Sequence, residues 1–152
     1  MQVIIAVRTL IVVLAIPLIW SAPVRADDRG TRQEARAMAE AAAALYRAQG
    51  PEAAFEAFNH SPEFHDRDLY VFALDSEGIL VAHGTGESLI GRDLSRLRDP
   101  SGRSFVQEFL AIEDTGWIEY QWTNPATGNV EDKVSFLINV GDHVIGVGAY
   151  RE

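Results

Sequence analysis

The feature that most limits what this chain can fold into is the run over residues 116–150. It reads as three strands, residues 116–123, 130–140 and 143–150, rich in β-branched and aromatic side chains. Asn124-Pro125-Ala126-Thr127-Gly128 and Gly141-Asp142 punctuate it. Connections this short allow antiparallel pairing and nothing else, since a parallel crossover needs about a dozen residues. An upstream pair, residues 69–74 and 79–83 about the turn Asp75-Ser76-Glu77-Gly78, repeats the pattern. With Ser76-Glu77 as the tip, Phe72 is expected to face Val81, and Tyr70 to face His83.

Helices fill the remainder. Thr31 with Glu34 forms a capping box for a helix over residues 31–48, with Met38, Ala41, Ala42 and Leu45 at helical spacing. Gly50-Pro51 ends it, and Pro51 suits the first position of a second helix, residues 52–58. Residues 59–67 read as a polar loop. Ser104 with Gln107 forms a second capping box, for a helix to about Asp114 carrying Phe105, Phe109 and Ile112 on its apolar face. The expected class is α+β: an antiparallel sheet of about five strands, a long N-terminal helix and helices on the sheet faces.

Composition removes several functions. The 152 residues suit one domain, and 47% are hydrophobic. The net charge of -9 speaks against nucleic acid and anionic lipid as partners. With no Cys, disulfides, thiolate metal sites and cysteine nucleophiles are excluded. Arg8 precedes the apolar stretch 10–20, and Val24 and Ala26 sit at small-residue cleavage positions before Asp27 and Asp28. Residues 1–26 therefore read as a signal peptide, with an uncleaved anchor as the alternative. Residues 27–152 form the expected exported domain, periplasmic or secreted.

The residues with chemistry lie on the second strand set. If the 125–128 turn pairs Asn124 with Asn129, Tyr120 faces Lys133, Trp122 faces Glu131 and Ile118 faces Ser135. Ile118, Tyr120, Trp122, Lys133 and Ser135 then share one face. Lys133, the one lysine in the chain, supplies charge. Tyr120 and Ser135 supply hydroxyl donors, and Trp122 an apolar wall. The set suits a small carboxylate. On composition alone Lys133 reads as a surface residue paired with Glu131 or Asp132, and Tyr120 and Trp122 read equally as core aromatics. His83 and Tyr70 are further candidates to contact a ligand; the alternative for His83 is a satisfied strand-end histidine.

His60, Glu63, His65, Asp66 and Asp68 have metal-ligand side chains, but their spacing matches no helical zinc motif, and a solvated loop is expected. No nucleophile elbow, phosphate loop or dinucleotide fingerprint occurs. Neither enzyme activity nor a cofactor is expected.

Several segments together resemble a known family. They are Tyr70-Val71-Phe72 with Asp75 and Gly78; Ala82-His83; Gly91 with Asp93-Leu94; Asp99-Pro100-Ser101-Gly102 before Phe105-Val106; Gly116-Trp117 leading to Tyr120 and Trp122; Asn124-Pro125 with Gly128; Lys133 with Ser135; and the closing stretch 144–150. In order and spacing the chain resembles the single Cache domain, the PAS-like extracellular sensor of bacterial chemoreceptors and sensor kinases. The resemblance implies a small organic acid as ligand, held by Lys133, Tyr120, Trp122 and Ser135. It also implies a membrane-bound sensor protein as partner, because no output module follows the last strand. Phe136 departs from the family, where an aromatic hydroxyl is common at that position. The alternative is an interaction domain without a ligand, dimerising through the 31–48 helix.

Overall fold

The computed structural model describes residues 29–151. The expected signal peptide lies outside the described residues. Helix α1 (Arg32–Gln49) is followed by α2 (Pro51–His60), β1 (His65–Asp66), β2 (Leu69–Asp75) and β3 (Leu80–His83). Helix α3 (Phe105–Leu110) then precedes β4 (Thr115–Thr123), β5 (Val130–Asn139) and β6 (His143–Tyr150). The fold is the expected α+β antiparallel sheet, with six strands in place of about five. The added strand is the two-residue β1, which falls within the expected polar loop.

Strand order is β1-β2-β6-β5-β4, and β3 pairs with β2. The β4–β5 register is the expected one: Tyr120 opposes Lys133, Trp122 opposes Glu131 and Ile118 opposes Ser135. The turn that fixes it is closed by Asn124 N–H donating to Asn129 O at 2.8 Å. The β2–β3 register differs from expectation, since Phe72 opposes His83 and a bulge lies at Ala73/Leu74. The cause is the turn. The Asp75 carboxylate accepts from the backbone N–H of both Glu77 and Ile79, widening the loop and delaying β3 to Leu80. The shift of two residues keeps Tyr70 and His83 on one face, where their rings sit 4.6 Å apart.

The sheet is covered on both sides, which is why Leu69 to Leu74 of β2 are all buried. On one face α1 and α2 pack with Ala35, Ala39, Ala42 and Ala43 against Val71, Phe136, Ile145 and Val147. The small alanines let α1 lie close, and its capping box forms as expected. Ala41, expected on the buried face, is exposed. On the other face Tyr70, Phe72, Leu74 and Leu137 pack with Phe105 and Phe109 of α3.

Helix α3 ends at Leu110, four residues earlier than expected, and the expected second capping box does not form. Gln107 is drawn away, its Nε2 donating to Ser95 O at 2.7 Å. The preceding turn is anchored instead by Asp99. Its Oδ1 accepts from Ser101 Oγ and Arg103 N–H, and its Oδ2 from Gln121 N–H on the outer edge of β4. That anchor sets α3 over the Tyr120 side of the sheet.

Candidate functional site

Alternation along β2, β4, β5 and β6 directs Tyr70, Tyr120, Lys133, Ser135 and Tyr150 to the α3 face. Lys133 is buried, with 1% of its surface exposed. Its ammonium lies 3.9 Å from the Tyr70 ring centre and 4.6 Å from that of Tyr150. The surface alternative for Lys133 is therefore corrected. Its two expected carboxylates are engaged elsewhere, Glu131 by Arg29, Asn124 and Thr127, and Asp132 by Gln121. Among the described residues, no carboxylate lies within salt-bridge distance of Lys133.

One hydrogen bond holds the ammonium: Nζ donates to Tyr150 Oη at 3.3 Å. Tyr150 Oη donates its own proton to Thr123 O at 2.7 Å, so its oxygen faces Lys133 as an acceptor. Tyr70 Oη lies 3.4 Å from the same oxygen. Beside this group Tyr120 Oη pairs with Ser135 Oγ at 2.9 Å. Burial presses the Lys133 ammonium well below its usual pKa, partly opposed by the negative charge of Asp68. Burial likewise holds the Tyr70 and Tyr120 phenols well above the usual range.

His83 reaches the site from the end of β3. Its Nδ1 accepts from Thr85 N–H at 3.3 Å, which places the proton of the neutral ring on Nε2. Burial, with the charge of Lys133, pushes its pKa down to about 4. The folded value lies below the unfolded one, so the unfolded chain binds the extra proton first. Stability from His83 is present above about pH 6.5 and is lost as pH falls toward about 4. The full loss is on the order of 3 kcal/mol. A His83→Gln variant is expected to flatten this part of the stability–pH curve, read by urea melts between pH 7 and 4.

Three spaces adjoin these groups; one, a cleft of about 220 Å³, is lined by Tyr120, Asp132, Lys133 and Arg151. An inner cavity of about 30 Å³ is lined by Tyr70, His83, Tyr120 and Trp122 and by apolar residues including Phe72 and Phe109. An outer cleft of about 390 Å³ shares Tyr70, His83 and Trp122 with it and runs between Gly86–Leu89 and Thr123–Pro125. The Lys133 ammonium, 3.9 Å from the Tyr70 ring centre, lines neither of these two spaces; Tyr70 lines both. The structure thus gathers all six expected residues, with Trp122 on the rim.

Two contributors were missed in the sequence, Tyr150 and Asp68. Tyr150 was read as part of a closing strand. Phe136 was singled out instead, but it faces α1 on the opposite side, beside Trp117. Asp68 was grouped with the His60 loop. It is fully buried, its Oδ1 accepts from Gly30 N–H at 2.6 Å, and its Oδ2 has no partner. The rest of that loop scatters, with His60 near Glu56 and Glu87 and His65 exposed in β1.

A six-stranded antiparallel sheet with a long leading helix and an enclosed polar cluster on one face is a PAS-like α+β fold. Residues 26–152 match the single Cache domain 2, and the chain belongs to that family, one of extracellular or periplasmic sensors and not of catalysts. The chain is 30% identical over 92 residues to the sensor histidine kinase MctS of Rhizobium johnstonii, covering 58% of this chain and 20% of that protein. It is 30% identical over 91 residues to the methyl-accepting chemotaxis protein McpP of Pseudomonas putida, covering 57% of this chain and 17% of that protein. The chain therefore spans a fifth or less of these curated relatives. A methyl-accepting chemotaxis protein of Vibrio parahaemolyticus shares the fold, with a TM-score of 0.69 at 23% identity over 78% of this chain and 86% of the other. A solved structure described as carboxylic acid recognition by a Cache chemosensory domain has a TM-score of 0.61 at 21% identity over 79% of this chain and 88% of the other. No helix among the described residues is long and apolar enough to cross a membrane.

Proposed function

We propose that this chain is a sensor module that binds a small organic acid outside the cytoplasm, as an exported domain, and passes the event to a membrane-bound sensor protein. The observation that carries the reading is Lys133, a buried ammonium with no carboxylate partner among the described residues. A carboxylate ligand supplies the missing charge, and burial strengthens the pair once formed. Tyr70, Tyr120, Trp122, Ser135 and His83 complete the contacts, with His83 Nε2–H as a neutral donor. The carboxylic acid recognised by a structural neighbour supports the ligand class.

A second reading is a ligand-free interaction domain that pairs through α1; the smallness of the inner cavity favours it. Thermal melting against small carboxylates, amino acids and divalent metals separates the two. A carboxylate at ~100 times its dissociation constant adds about 2.7 kcal/mol. The melting temperature should rise by roughly 5–10 °C. No rise with any carboxylate would favour the interaction domain.

A further inference from the structure

Two opposite charges are buried around Tyr70 without touching. Lys133 carries the ammonium, with no carboxylate in contact among the described residues. Asp68 carries the carboxylate. It is fully buried, its Oδ1 accepts from Gly30 N–H at 2.6 Å, and its Oδ2 has no hydrogen-bond partner. A buried ion without a partner is costly, so two of opposite sign in one region call for a common explanation. We propose that Asp68 is a positioning residue for acid binding: its charge keeps Lys133 an ammonium while the pocket is empty, so that the site meets an acid already charged. This rests on the reading of Lys133 as the carboxylate anchor.

The chain brings the two charges together through β2. Asp68 directly precedes that strand, and Tyr70, two residues on, has its ring centre 3.9 Å from the Lys133 ammonium. Tyr150 opposes Lys133 in the β5–β6 pairing, and its Oη stands 3.4 Å from that of Tyr70. The negative charge of Asp68 acts on the ammonium and on both phenols. The other groups about the ammonium supply no free anion. Burial pushes the phenols of Tyr70, Tyr120 and Tyr150 up, so they keep their protons. His83 of β3, pushed down to about 4, is neutral near pH 7. Helix α3 brings Phe105 and Phe109, which carry no charge. On β5, Asp132 alternates to the opposite face from Lys133 and is held by Gln121, while Arg29 pairs with Glu131. Arg151, beyond β6, pairs with Glu119.

Separation matters as much as sign. A carboxylate in contact with Lys133 would take the place of the ligand. Asp68 is held back by Gly30 N–H, and Gly30 is itself fixed, since a side chain there would strike Leu69. Asp68 therefore lends its field and leaves the ammonium's donors free: Nζ has three, and one goes to Tyr150. Exerted at a distance, that pull offsets only part of the cost of burial. The same field opposes the charge of an incoming acid. Asp68 thus favours the charged site and disfavours the anion that enters it, and the two effects separate with pH.

The test uses the fact that Lys133 is the one lysine in the chain. With lysine isotopically labelled, a single side-chain NMR signal reports its titration. That signal is followed in the wild type and in Asp68→Asn, which removes the charge and keeps an oxygen for Gly30 N–H. Acetate and propionate are titrated into both proteins by calorimetry from about pH 5 to about pH 11. In Asp68→Asn the lysine should lose its proton at least about one pH unit lower than in the wild type. The fall in acid affinity with rising pH should move down by the same interval. Below that fall the variant should bind the acids as tightly as the wild type or more tightly. Should Asp68→Asn not fold, Asp68→Ser, which removes the same charge and keeps an acceptor, takes its place. Lysine titrations that coincide, or an affinity lowered equally at every pH, would overturn the assignment of Asp68 and leave the carboxylate pocket standing. A wild type that binds neither acid at any pH would overturn the carboxylate reading, and the part of Asp68 in binding with it.

Discussion

A Lys133→Met variant is expected to fold, to melt at or above the wild-type temperature and to lose small carboxylates as ligands. The two halves of that result have one cause. In the free protein the ammonium has given up its hydration for one 3.3 Å hydrogen bond to Tyr150 and two aromatic faces. Cation–π contact returns about 2 kcal/mol when desolvated, less than the several kcal/mol that burying an ion costs. Methionine occupies a similar volume without the charge, so the fold loses little and can gain. On the proposed reading, binding loses the buried positive charge that pairs with the acid. Removing one partner of a buried charge pair costs roughly 2–5 kcal/mol. That is a weakening of about 30-fold to several-thousand-fold in dissociation constant.

The pH dependence follows with a definite sign. Burial lowers the folded pKa of Lys133, so over that range the unfolded chain binds more protons than the native one. Stability of the unliganded protein therefore rises with pH there, up to the ordinary lysine range. A bound carboxylate favours the charged amine, so acid binding takes up a proton, and affinity declines as Lys133 of the free protein deprotonates. Lys133→Met should remove both slopes. Unchanged affinity for propionate in this variant, measured by calorimetry at pH 7, would take Lys133 out of the site.

Much of this arrangement was legible because strands with short turns are self-registering. Asn124 through Gly128 dictated the β4–β5 pairing, and that pairing alone set Tyr120 opposite Lys133. What was not legible came from longer range. The two-residue shift between β2 and β3 depends on a side chain, Asp75, competing for backbone N–H groups. The failed cap at Ser104 depends on Ser95 and Gln121, distant in sequence. The burial of Asp68 depends on Gly30 returning across the sheet, and no local pattern announces it. Phe136 was misjudged because a family position was weighed before strand alternation, which puts it and Ser135 on opposite faces. A signal for the second face did exist: Gly146 and Gly148, alternate residues in a buried strand, mark places where neighbouring side chains need the space.

Gly148 is the more consequential of the two. It lies opposite Ser135 in the β5–β6 pairing, and a methyl group there would fall on Lys133 Cε and Ser135 Oγ. The lysine lies flat over the sheet because this residue has no side chain. Gly148 is not among the glycines with positive φ, so its backbone accepts alanine, and the effect of a substitution is steric alone. Gly148→Ala is expected to cost about 1–3 kcal/mol through overpacking. It should also push Lys133 off the Tyr70 and Tyr150 rings and weaken acid binding by about tenfold or more. The mechanism predicts non-additivity. In a Lys133→Ala background the clash with Cε is gone, so Gly148→Ala should cost less stability there than in the wild type. Side chains in contact couple by about 0.5–3 kcal/mol, well within the resolution of urea melts on the four proteins of the cycle. Equal costs in both backgrounds would show that the lysine does not occupy the space above Gly148, and that some other feature of the sheet holds its ammonium in place.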